Sequence, residues 1–120
     1  MAERKRFPAA VYGQGNEPDP RFSLANERTA LAWIRTSLAL VALGVALEAL
    51  ALPIPAPLRL VVSILLIVLG ALAAVQSWAG WSRTELALRL QQALPGIGVT
   101  PIIAVAGCAV AITLIVGLLI

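Results

Sequence analysis

The sequence predicts an all-α integral membrane protein, a bundle of three membrane-crossing helices with its N-terminus inside and its C-terminus outside. Composition is the first reason. The 120-residue chain is 60% hydrophobic and 12% charged, whereas a soluble domain carries roughly 25% charge and 45–50% apolar residues. Mean hydropathy is +0.92. The second reason is length: each of three apolar runs approaches the ~20 residues needed to cross a hydrocarbon core. The third is charge placement, since Arg4, Lys5, Arg6, Arg21, Arg28 and Arg35 all lie in the first third of the chain.

Residues 1–18 read as a flexible cytoplasmic arm, because Gly13 to Pro18 has no apolar period to fold around. This stretch is not expected to be a signal peptide, because the apolar run starts too late and lacks a small-residue cleavage pattern. Residues 19–120 form the three-span domain. Asp19-Pro20 starts a helix, with aspartate as cap and proline at the tolerated first position. Arg21 to Thr29 is mixed in character and belongs at the membrane surface. The first span covers about 29–52. Pro53, Pro55 and Pro57 stop it, since each lacks a backbone donor. The second span covers about 58–81. A short polar helix over 82–94 follows, with Leu86, Leu90 and Leu94 on one face, and Pro95-Gly96 breaks it. The third span, about 100–120, carries no charge.

Orientation follows the distribution of Lys and Arg in the short loops. The N-terminal arm is basic and the second loop carries Arg83 and Arg89, whereas the first loop has only Arg59 at its edge. Trp33, Trp78 and Trp81 then fall in an aromatic belt at the inner interface. The expected location is a cell membrane, with a bacterial plasma membrane favoured.

Several functions are disfavoured. With no histidine and the single cysteine Cys108, the chain supplies neither an internal disulfide nor the usual zinc ligands, and no metal or cofactor is expected. Its six carboxylates are scattered, and no serine or cysteine has a base within sequence reach, so no enzyme is expected. Nucleic acid is not an expected partner, because the basic arm lacks interleaved aromatic platforms. The expected partners are the lipid bilayer and further copies of the chain.

Charge inside the first span is the informative feature. Twelve residues, Thr36 to Leu47, separate Arg35 from Glu48, which places the two about 20 Å apart along a helix, less than the ~30 Å hydrocarbon thickness. Either one of them is held at depth, facing a bundle interior or a cavity, or both sit at the interfaces of a thinned bilayer. Glu48 is expected to meet Arg59 across the first hairpin as a structural ion pair. Arg28 and Arg35, seven residues apart, differ by only about 20° around the helix and form a basic stripe. Glu27 lies about 100° to the side. Arg83 is the expected neighbour, with Gln76 deeper on the second helix. Rings of such arginines in an oligomer admit anions. Ala42-x-x-x-Ala46, Gly70-x-x-x-Ala74 and Gly107-x-x-x-Ala111 are close-packing signals of the small-xxx-small kind.

The run Asp19 to Thr36, DPRFSLANERTALAWIRT, resembles the signature of the YidH-like family of small bacterial membrane proteins, a domain of unknown function. Leu24-Ala25-Asn26-Glu27-Arg28-Thr29, with Leu31, Trp33 and Arg35-Thr36, carries the resemblance, which extends from about Asp19 to the end. The family pattern has a large residue where this chain has Ala30, a departure expected to loosen local packing. The same domain resembles the membrane part of the vacuolar transporter chaperone (VTC) subunits, which make and translocate polyphosphate. That resemblance implies a pentameric assembly in which Arg21, Glu27 and Arg28 match a pore mouth and Arg83 a further pore arginine. A pore architecture, and not the polymerase activity of that complex's catalytic domain, is what the resemblance leads one to expect of this chain. The expected function is a homo-oligomeric, basic-lined pore or translocation subunit for an anion such as phosphate or polyphosphate. The alternative is a non-conducting scaffold or assembly subunit that binds anionic lipid or a partner protein.

Overall fold

The computed structural model describes residues 6–96, 98 and 100–120. It contains a short turn of helix, α1 (Ala9–Tyr12), and three long helices, α2 (Pro20–Ala49), α3 (Ala56–Arg89) and α4 (Thr100–Leu119). All three long helices are long and apolar enough to cross a membrane. Leu31, Leu38, Val61, Val75, Val105 and Ile112 are exposed along them, as expected where the surrounding solvent is hydrocarbon.

Asp19 caps α2, its Oδ1 accepting the Arg21 backbone N–H at 2.9 Å, with Pro20 as the first helical residue. The Arg21 guanidinium donates to the same carboxylate at 2.9 and 3.2 Å. It holds the Asp19 carboxyl below its ordinary pKa, and the backbone bond adds to the effect. The surface turn and the first span are therefore one helix of about 45 Å. It ends before the prolines, with Ala51 in a left-handed conformation at φ 47° and donating its N–H to the Glu48 carbonyl. Pro55 then caps α3.

The separate polar helix expected over 82–94 is instead the last part of α3, which runs unbroken through Arg89. No proline or glycine interrupts Ser82 to Arg89. The helix closes in a Schellman arrangement, with Gln91 N–H on Leu88 O, Gln92 N–H on Ala87 O and Gln91 at φ 55°.

α2 and α3 pack as an antiparallel hairpin. On α2 the inward positions are Asn26, Ala30, Trp33, Ser37, Leu40, Gly44 and Leu47, and their alternating four–three spacing is that of a left-handed helix pair. Small residues bring the backbones together. A Cβ on Gly44 would lie 2.8 Å from Ser63 O, and one on Gly70 would lie 2.9 Å from Ser37 O. Gly70 thus spends its close-packing capacity inside the chain, while Gly107 meets no neighbour within 4 Å. α4 joins through its C-terminal half: Val110 is buried with Leu47, Ile54, Val62 and Leu66, and Leu114 packs alongside.

Residues 6–18, read from sequence as a free arm, fold back onto the end of α3. Arg89 is buried and donates from Nε to Gln14 O at 2.8 Å, from one terminal nitrogen to Tyr12 O at 3.0 Å, and from the other to Glu17 at 3.2 Å. Arg6 also pairs with Glu17. Tyr12 packs on Trp81 and Phe7 on Trp78, with ring centroids 6.0 and 6.2 Å apart. The arm needs no apolar period because one arginine satisfies its carbonyls.

Candidate functional site

At the proline end, Arg59 Nε lies 3.5 Å from Glu48 Oε1, and the same guanidinium donates to Leu52 O at 3.0 Å. The first distance makes an ion pair, and the shorter bond to the carbonyl fixes the arginine. This contact ties the end of α2 to the start of α3.

The arginines of α2 lie elsewhere. Arg28 and Arg35 stand about 180–200° around the helix from the positions that face α3. Both are exposed, as are Arg21 and Glu27. Arg28, Arg35 and Glu27 form no hydrogen bond or ion pair among the described residues, whereas Arg21 is held by Asp19. The same face continues in small residues. Arg21, Ala25, Arg28, Ala32, Arg35, Ala39, Ala42 and Ala46 repeat the four–three spacing on the side of α2 away from its partner helix.

Position along the helix sets depth. Taking Ala49 as the edge of the hydrocarbon, Arg35 lies about 21 Å in, Arg28 about 31 Å and Arg21 about 42 Å. With a core ~30 Å thick, Arg28 is at the far boundary and Arg21 beyond it. Arg35 falls about 9 Å inside.

Arg83 does not join that column. It lines a cleft of about 240 Å³ between α2, α3 and the segment leading into α4, with Asn26, Trp33, Gln76, Trp81 and Thr84 among its walls. None of Arg21, Arg28 and Arg35 lines this cleft.

Behind it lies a polar cluster that sequence reading missed. Glu85 is buried, as is Asn26. Glu85 Oε1 accepts the Ser23 hydroxyl at 2.8 Å, and Oε2 accepts Asn26 Nδ2 at 3.2 Å. Asn26 Nδ2 also donates to Trp81 O at 3.0 Å, and one turn deeper the Ser77 hydroxyl donates to Ala30 O at 3.0 Å. The available signal was that Ser23 and Asn26, three apart, share a helix face, as do Glu85 and Arg89, four apart. The Ala30 departure falls on the hairpin seam, where a small side chain leaves its carbonyl open to Ser77.

No curated protein and no solved structure matches the chain. A family model described as a domain of unknown function, DUF202, matches residues 21–87. That stretch holds both arms of the hairpin, the α2 arginine column and the Glu85 cluster, and it agrees with the YidH-like signature. With more than half its length matched and three membrane-length apolar helices, the chain is a membrane protein that belongs to the DUF202 family.

Proposed function

We propose that this protein is a homo-oligomeric subunit of a bacterial plasma membrane whose α2 helices gather around an anion path, with phosphate or polyphosphate as the class of ion carried. The observation that supports this reading is Arg35. It lies about 9 Å inside the hydrocarbon by helix rise, on a face where it is exposed among the described residues. An arginine at such depth is costly against lipid and belongs toward a bundle interior or an aqueous cavity. The alanines flanking it on that face allow close helix approach, which suits association between copies.

In such an assembly Arg28 and Arg35 make two basic rings about 10 Å apart. Arginine rings attract anions and bind phosphate-like oxygens through paired hydrogen bonds. Glu27 beside each Arg28 weakens the hold enough for an ion to leave. The resemblance to the membrane part of the VTC subunits points the same way. Loop charge favours an N-terminus in the cytoplasm, and in that orientation the Arg28 ring is the inner mouth.

The test is anion flux through the purified full chain in liposomes, with native mass spectrometry reporting assembly. Phosphate or halide flux that Arg28→Glu abolishes while the oligomer persists supports the pore. An intact oligomer without phosphate, polyphosphate or halide permeability refutes it and leaves the non-conducting scaffold. A strictly monomeric species refutes the assembly as well.

A further inference from the structure

We infer that the cleft bounded by α2, α3 and the start of α4 is a binding site for a phosphodiester or phosphate group, held by Arg83 within each single chain. The site is independent of the α2 outer face and stands whether or not that face lines a pore.

The first ground is that a space exists. α4 packs against the hairpin through Val110, Leu114 and Gly117, all in its C-terminal half. The segment before α4 returns to the hairpin at Gly98, where an added Cβ would lie 2.9 Å from the Gln76 amide, and the space enclosed between it, α2 and α3 is the cleft. Its volume of about 240 Å³ equals the liquid share of about eight waters at ~30 Å³ each, enough for a phosphate with a small alcohol attached.

The second is charge. Arg83 is the one charged residue among the described lining, and no carboxylate joins it. Arg83 has neither an ion pair nor a hydrogen bond among the described residues. Glu85, two residues on, is committed to Ser23 and Asn26. The cleft is therefore cationic, with an unengaged guanidinium suited to paired hydrogen bonding with phosphate oxygens.

The third is the supply of neutral donors and acceptors. Gln76 and Thr84 line the cleft and make no hydrogen bond among the described residues, so an amide and a hydroxyl are available to a polar ligand. With Arg83 as the charge of the described lining, the cleft suits a headgroup of net negative charge, an uncharged hydroxylated alcohol on the phosphate, better than a zwitterionic one.

The fourth is depth. From Ala56, the start of α3, helix rise puts Gln76 about 30 Å along and Thr84 about 42 Å, the interval in which the hydrocarbon core gives way to headgroups. Trp33 and Trp81 form walls of the cleft, and tryptophan is the residue favoured at that boundary. A lipid phosphate meets Arg83 at its natural level. A free phosphate arriving from the aqueous side would find the same chemistry.

The experiment is native mass spectrometry of the full chain in mild detergent with phosphatidylglycerol or phosphatidylcholine, repeated with inorganic phosphate as competitor. Wild type is expected to retain phosphatidylglycerol, and Arg83→Gln to lower its retention about tenfold, the order of one charge-assisted interaction. Thr84→Val, with its smaller change, serves as a second variant and should lower retention less. Phosphatidylglycerol retention that inorganic phosphate leaves unchanged assigns the ligand to lipid. Displacement by millimolar phosphate assigns the same site to the free ion. Equal retention of both lipids, unaltered in Arg83→Gln and insensitive to phosphate, overturns the site. Circular dichroism showing unchanged helix content in each variant separates loss of binding from loss of fold.

Discussion

Replacing Asn26 by alanine tests the polar lock that joins α2 to the end of α3. The side chain is 6% exposed and donates two hydrogen bonds, one to Trp81 O at 3.0 Å and one to Glu85 Oε2 at 3.2 Å. By helix rise from Ala49, Asn26 lies about 35 Å along α2, past the ~30 Å hydrocarbon core. The magnitudes of aqueous proteins therefore apply in preference to the smaller values measured between membrane-buried helices. A bond to a neutral carbonyl contributes about 1 kcal/mol and one to a carboxylate about 1.5–3. Asn26→Ala is accordingly expected to cost about 2–4 kcal/mol, read as a lowered unfolding midpoint in detergent micelles. In a double-mutant cycle with Glu85→Ala, a coupling of about 1 kcal/mol or more is expected, because each partner strands the other. A loss below about 0.5 kcal/mol, or additive effects, would refute the reasoning.

Gly70→Ala gains up to about 1 kcal/mol of helix propensity. Its Cβ would meet Val41 Cγ2 at 2.6 Å and Ser37 O at 2.9 Å, and overpacking of about 1–3 kcal/mol wins, so the unfolding midpoint should fall. Gln91→Gly relieves a left-handed residue at the end of α3 and should raise stability by about 0.5–1 kcal/mol; a decrease would show that the side chain matters more than the backbone. The Asp19 carboxyl is held below its ordinary value of 3.8 by Arg21. Its cap is therefore fully effective above that value and lost as pH falls through the lower folded one. Amide shifts of the first turn of α2 should move only in acid, and Asp19→Asn should abolish the movement.

The membrane class and the three spans were legible because hydropathy and length are properties of contiguous sequence. Asp19-Pro20 was legible as a start because capping is local chemistry. The union of the second span with Ser82–Arg89 was not, since a polar stretch after an apolar one reads as a boundary. Only Glu85, meeting Ser23 and Asn26 on the other helix, and Arg89, meeting the arm, show that those polar residues are packed. Backbone acceptors leave no mark on sequence, so the binding of Tyr12 and Gln14 carbonyls by Arg89 gave the arm no visible reason to fold. Gly70 was legible as a close-packing residue but not as one used within the chain, because a small side chain does not say which helix approaches it. The seven-residue spacing of Arg28 and Arg35 gave their common face. That this face turns away from α3 required the hairpin, which fixed Asn26, Ser37, Gly44 and Leu47 on the opposite side.

The central proposal, that the outer face of α2 lines an anion path, is tested most directly by the reversal potential of purified protein in planar bilayers under a salt gradient. Wild type is expected to reverse on the anion side, and Arg35→Glu to shift toward cation selectivity with the oligomer retained. An intact oligomer that passes no current, or an Arg35→Glu assembly with unchanged selectivity, would contradict it.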